Sequence, residues 1–372
     1  MCNEMTTSLK TEVLESPLEI VLKGSNTKFI TAFKELLLHP VYSRPTLQFI
    51  ESSVKLAPNR ARVLAESEHG RLIFIQLLKQ TESWYSGEDN FYLHLLNSII
   101  SQLLSADLGN LFLSTFSEPI VNEDERLSLL KIVDAAIDSL LERKSTTLDC
   151  QPLLEILFRD FTTASAQAIP FIRSADTSPE YSDSLLSQLT NIWNRLIVLL
   201  DIYQTILDNQ PSLKPEILKD NIIEELVSLL GEAQKSLPRR SKLADLEKSA
   251  SKSSSGNVSD HDDLDPKDFP LIKGKIIYLL GTLVQENKQV QDLVRQLQGL
   301  ELVLTNCIID LNNPFIRERS ILCLRYLLAN NPENQDFVAK MEAKETVSED
   351  ALHEAGYETE LVNGKLALKK RT

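Results

Sequence analysis

The sequence predicts an all-α protein: an armadillo- or HEAT-like α-solenoid with one disordered insertion and a short C-terminal β-hairpin. Three observations predict it. Apolar residues recur at three- and four-residue spacing in nearly every segment, the pattern of helices that bury one face. Glycine is scarce, at 11 of 372 residues, and leucine is plentiful, which favours helix because glycine is costly inside one. Two segments near the C-terminus echo each other at a spacing that suits stacked helical repeats.

The periodicity runs the length of the chain. It is carried by Leu72, Ile75 and Leu78, then by Phe91, Leu95 and Ile99. Leu129, Val133, Ile137 and Leu140 continue it, as do Ile222, Leu226 and Leu229. Proline and polar breaks separate the stripes, at His39-Pro40, Pro58-Asn59, Gly87 to Asn90, Cys150 to Pro152, Ser178-Pro179, Asn209 to Pro211 and Asn313-Pro314. Several put proline in a first helical turn, where its missing N–H is not needed. Leu148-Asp149 before Pro152, and Asn331 before Pro332, read as N-caps.

The repeat is clearest toward the C-terminus. Leu279 to Leu283 (LLGTL) and Cys323 to Leu327 (CLRYL) occupy equivalent places, with Leu280 and Leu324 44 residues apart. Repeats of this class run to about 40–47 residues. An Asn-rich break follows each, and then a helix opening Gln291-Asp292 or Gln335-Asp336. Asn59 to Gly70 before LIFIQLL echoes Asn287 to Gly299 before LELVL. The alternative is a set of unrelated amphipathic helices with similar leucine spacing.

Four regions follow. Residues 1–231 form an N-terminal helical repeat region. Residues 232–267 form a Ser/Lys/Asp-rich linker, basic at Arg239, Arg240 and Lys242 and acidic from Asp260 to Asp265. Its few bulky apolar residues cannot offset the entropy of ordering it, so it should be disordered. Ser259, with Asp262 three residues on, is a candidate phosphosite there; the plainer reading is a passive spacer. Residues 268–340 form a compact C-terminal domain, and residues 341–372 a tail. In that tail Tyr357, Thr359 and Leu361 alternate with polar residues, then comes Asn363-Gly364, then Leu366 and Leu368. Asn-Gly between alternating runs signals a hairpin. Two strands alone are marginal, so the hairpin leans on the preceding helices or remains an extended tail.

Bulk chemistry narrows the function. The net charge of −14 argues against nucleic acid and against anionic membrane surfaces, which need a basic face. No run approaches the ~20 apolar residues of a membrane span. The first twenty residues lack the apolar core of a secretory signal, so a cytoplasmic location is expected. Cys2, Cys150, Cys307 and Cys323 are widely spaced and read as reduced, mostly buried thiols. His39, His69, His94, His261 and His353 are isolated, and neither a P-loop nor a nucleophile elbow is present. No catalytic residue, cofactor site or metal site is expected.

The stretch from Asp268 to Ala339 resembles the C-terminal domain of the ataxin-10 family. The carrying pieces are NNPFIRE (Asn312 to Glu318) after Asp310, and NPENQ (Asn331 to Gln335). The tail GYETELVNGKLALK is similar to the end of fungal members. The resemblance covers about the last quarter of the chain. It implies an armadillo-like solenoid and, for fungal members, a cytoplasmic role linked to regulation of cytokinesis; binding of other proteins is expected because stacked repeats expose an extended surface. Some fungal members carry a copper-transport name, but copper(I) needs clustered thiolates or thioethers, and Met1, Met5, Met341 and the scattered cysteines offer none. An enzyme with a non-local site is a third reading, to which no residue points.

The same residues also have a structural reading. Asn312 or Asn313 caps a helix begun by Pro314, and Glu318 sits in its first turns, where negative charge suits the dipole. Phe315 and Ile316 are expected to turn inward, with Ile321, Leu324, Leu327 and Leu328 continuing the stripe. Arg317 and Arg325 are then the candidates for partner contact. Armadillo proteins that clamp extended peptides use an asparagine ladder where this chain has Thr282 and Tyr326, so that mode of binding is not expected.

Overall fold

The computed structural model describes residues 22, 27–39, 41–85, 90–109, 113–114, 123–142, 148–175, 181–237, 239–240, 265–342, 349–362 and 365–370. These residues are helical apart from one two-stranded sheet and the connecting turns, which makes the chain an all-α solenoid. They divide into two compact units, one ending at Leu153 and one beginning at Leu154.

The first unit contains α1 (Thr27–Leu38), α2 (Ser43–Val54), α3 (Pro58–Glu66), α4 (Glu68–Tyr85), α5 (Phe91–Ser105) and α6 (Glu123–Glu142). Each packs on near neighbours in sequence: α2 on α1, α3 and α5, and α6 on α4 and α5. Leu64, Ile73, Leu96, Ile99 and Val133 are fully buried. Asp149 accepts a hydrogen bond from the Gln151 amide at 2.9 Å, two residues before the short turn at Gln151–Leu153 rather than at its cap position.

The second unit holds α7 (Leu154–Ser174), α8 (Asp183–Asn209), α9 (Lys214–Ile217), α10 (Ile222–Ser236), α11 (Ile272–Val284), α12 (Lys288–Gln296), α13 (Gly299–Thr305), α14 (Ile316–Leu328), α15 (Pro332–Glu342) and α16 (Glu349–Glu354). Then come β1 (Tyr357–Val362) and β2 (Lys365–Lys370), antiparallel, with Val362 opposite Lys365. The strands flanking Asn363-Gly364 therefore pair as the expected hairpin requires, those two residues lying outside the described ones, and the strands lean on α15 and α16. Helices α8, α11 and α14 stand side by side and run the same way. Lys275 of α11 pairs with Asp201 of α8, while Gln204 meets Thr282 one or two turns on, at 3.2 Å. Gly281 of α11 faces Cys323 of α14, where a Cβ would make ordinary van der Waals contact at 3.5 Å from the Cys323 Cβ. No helix among the described residues is long and apolar enough to cross a membrane.

The 44-residue repeat is visible in the backbone and in its hydrogen bonds. α11 and α14 begin at Ile272 and Ile316, and α12 and α15 at Lys288 and Pro332. Left-handed residues recur at Leu271 and Phe315, then at Glu286 and Asn330. Asn287 caps α12 through the Val290 amide at 3.2 Å, and Asn331 caps α15 through the Asn334 amide at 3.1 Å. Gln291 donates to the Val284 carbonyl and Gln335 to that of Leu328. In the first unit Leu56 takes the same left-handed turn before the nine-residue α3, as Glu286 does before the nine-residue α12.

Two expected boundaries need correction. The linker was placed to begin at Glu232, but α10 continues to Ser236, with Ala233 and Leu237 buried. Arg240 and the residues from Asp265 onward also pack into the second unit. The division into an N-terminal region ending at 231 and a C-terminal domain starting at 268 fails for the same reason, since α10 packs on α11, α12 and α13. Residues 241–264, with the candidate phosphosite Ser259, lie outside the described residues.

Candidate functional site

The turn between α13 and α14 is built around one buried carboxylate. Asp310 is almost fully buried and pairs with the equally buried Lys273 at 2.9 Å. Two ions taken out of water are tolerated only when paired and hydrogen-bonded. Asp310 meets that condition. Its Oδ1 accepts from the amides of Asn312 (3.1 Å) and Arg240 (3.2 Å), and its Oδ2 from Asn313 Nδ2 (2.9 Å). Asn313 Oδ1 in turn accepts from the Gly274 amide at 3.1 Å. The Asn312 carbonyl accepts from the Leu271 amide at 2.7 Å, and Asn312 Nδ2 donates to Asp268 at 3.4 Å. Burial is the largest influence on the Asp268 carboxyl and raises its pKa, although the adjacent Arg240 pulls the other way.

This lock presents an apolar tip. Phe315 sits at φ 62°, in the left-handed region, and 71% of its surface is exposed. Ile309 is 64% exposed beside it. A cavity of about 210 Å³ opens between them, lined by Ile309, Leu311, Pro314, Phe315 and Ile316, with Arg317 and Glu318 at hand. A left-handed conformation costs a non-glycine residue about 1–2 kcal/mol, and an exposed ring recovers none of that by burial. Strained backbone carrying exposed apolar groups is a feature of binding surfaces.

The same turn occurs 44 residues earlier. Asp268-Phe269-Pro270-Leu271-Ile272 stands where Asn312-Asn313-Pro314-Phe315-Ile316 stands in the next repeat. Pro270 is buried and Leu271 half-buried, and Trp193 of α8 donates to the Pro270 carbonyl at 2.9 Å.

Several sequence expectations change here. Asn312 and Asn313 do not cap α14, because Asp310 and Gly274 engage the Asn313 side chain and the helix begins at Ile316 without a side-chain cap. Pro314 is consequently outside the helix. Phe315 does not turn inward: its ring is 71% exposed, and Ile316, 1% exposed, is the residue that closes the core. Glu318 does sit in the first turn of α14, exposed. Arg317 is held by an ion pair with Glu354, which raises its pKa further, whereas Arg325 is exposed on α14. Asn331 is a fully buried cap that also donates to Gln291 and Asp292, and Gln335 holds the Leu328 carbonyl. Sequence reasoning assigned no role to Lys273, Asp310 or Arg240, or to the exposure of Ile309. The available signal was the related segment Asp268-Phe269-Pro270-Leu271-Ile272, 44 residues before Asn312-Asn313-Pro314-Phe315-Ile316.

Cys150 and Cys307 are buried thiols with pKa values pushed up to about 12 by desolvation, and Cys323 is shifted the same way. Low thiolate character makes these poor soft-metal ligands. Among the described residues no group of three His, Cys, Asp or Glu side chains could hold a metal ion.

Residues 272–369 match the family described as the spinocerebellar ataxia type 10 protein domain. The chain is 41% identical over 183 residues to the ataxin-10 homolog of Debaryomyces hansenii, covering 49% of this chain and 35% of that protein. It is 54% identical over 106 residues to the ataxin-10 homolog of Kluyveromyces lactis, covering 28% of this chain and 20% of the relative. Human ataxin-10 is 40% identical over 97 residues, covering 26% of this chain and 20% of the relative. The matches thus span little more than a third of the Debaryomyces protein and a fifth of the other two.

Proposed function

We propose, from the premise that the chain belongs to the ataxin-10 family through residues 272–369, that it is a non-enzymatic protein-binding scaffold whose docking element is the corner at Phe315. One observation carries the reading: a strained, 71% exposed aromatic residue stands on a turn locked by a buried ion pair. Such a turn contributes order rather than core, and a pre-ordered apolar tip binds without a large entropy loss. Stacked repeats supply the extended surface around it. The cytoplasmic role in regulating cytokinesis that the resemblance implies is proposed with it.

The test begins with a photo-crosslinking residue at position 315 of the full chain, in cells, and identification of the adduct. The purified adduct protein is then titrated against wild type and Phe315→Ala. The proposal expects affinity to fall about tenfold or more, as for truncation of an aromatic hot spot, with the melting temperature unchanged. Equal affinity of the two proteins would overturn it.

A further inference from the structure

We infer that Arg240, which lies before residues 272–369, positions the Phe315 corner; the inference rests on the reading of that corner as the docking element. Arg240 touches both copies of the turn. Its amide donates to Asp310 at 3.2 Å and its carbonyl accepts from Leu311 at 2.7 Å, a two-sided main-chain bridge to the residues just before Asn312. Its guanidinium pairs with Asp268, the carboxylate that also accepts from Asn312. Both side chains are mostly buried, at 16% and 13% exposure, so the pair is little screened by solvent.

The arrangement separates positioning from general support. The apolar interior of α11 and α14 closes through Leu280, Leu324 and their neighbours, all buried without any part played by Arg240. Arg240 is the last described residue before Asp265, and Asp268 follows three residues after that. One ion pair therefore ties these two stretches of the described chain to the turn that carries Phe315. The guanidinium is a planar fork, and a lysine ammonium is a point charge that satisfies the same carboxylate with less directional control.

Amide hydrogen exchange on the full-length protein tests this without any partner. In Arg240→Ala the Leu311 and Leu271 amides should exchange about tenfold faster or more, the order expected from losing a hydrogen bond to a charged group. The amides of Leu280 and Leu324 should keep their protection, and Arg240→Lys should fall between wild type and Arg240→Ala. Unchanged exchange at Leu311 and Leu271 would overturn the inference. So would an equal rise across α11 and α14, which would make Arg240 a general stabiliser. Phe315→Ala should leave the Leu311 amide as in wild type. The docking reading is decided separately by the titration with Phe315→Ala, so either idea can fail while the other stands.

Discussion

The turns that open α11 and α14 share a left-handed residue just before the helix and differ in what covers them. Both place a bulky apolar residue in the left-handed region, Leu271 at φ 68° and Phe315 at φ 62°. In the first, α8 lies over the turn and Trp193 fastens the Pro270 carbonyl. In the second, Pro314 and Phe315 face solvent, while the polar groups beneath them are tied to Asp310. A single repeat device thus serves packing in one copy and presentation in the next. Exposure of an apolar residue becomes informative when its repeat equivalent is covered.

The largest effect expected from breaking this comparison is at the lock. Asp310→Ala leaves Lys273 buried without its counter-charge and frees three hydrogen-bond donors. Removing one partner of a buried pair costs about 3–5 kcal/mol, and denaturant unfolding of the variant checks it. A loss below about 1 kcal/mol would mean that water reaches Lys273 and the lock is open.

At the covered copy, Trp193→Phe keeps most of the ring but removes the donor to Pro270. It should cost about 0.5–1.5 kcal/mol, the net worth of one hydrogen bond. Phe315→Ala, at the uncovered copy, should stay within about 0.5 kcal/mol of wild type, as surface substitutions do. Thermal unfolding of the two variants side by side shows whether the copies differ as described.

A smaller effect concerns Asp268, which stands where the second copy has Asn312. Burial raises the Asp268 pKa in the folded chain, so the folded state holds that proton more tightly than the unfolded state. The group's unfavourable contribution is fully present above its folded pKa and is relieved as pH falls through it toward the unfolded value. Asp268→Asn has no such titration. Wild type should gain stability relative to Asp268→Asn between pH 7 and pH 4.5. A relative loss over that range would show that Arg240, rather than burial, dominates this carboxylate.

Much of the fold could be read from the sequence. The helical stripes, the offset between Leu280 and Leu324, the Asn331 cap and the C-terminal hairpin all depend on local periodicity or turn chemistry, and all appear. Faces were legible to within a residue: Leu95 is half-buried and Leu96 beside it is fully buried, because neighbours on two sides widen the apolar stripe. The corner was misread for a definite reason. Asn-Asn-Pro before an apolar stripe satisfies local rules for a helix start, but the partners that override them, Lys273, Gly274 and Arg240, lie far away in sequence. The linker start was misread in the same way, since Leu237 and Arg240 stand in a mostly polar stretch whose burial and bond to Asp310 depend on residues far away in sequence.

Hydroxyl-radical footprinting of Leu271 and Phe315 tests the central claim most directly, with the full chain free and then bound to the protein recovered by crosslinking at position 315. In the free chain Phe315 should be oxidised well ahead of Leu271, as its exposure requires. In the complex Phe315 should become protected while Leu271 keeps its free-state reactivity. A Phe315 ring that reacts equally with and without the bound protein would contradict the account, and the uncovered copy would then be a solvent-facing turn and nothing more.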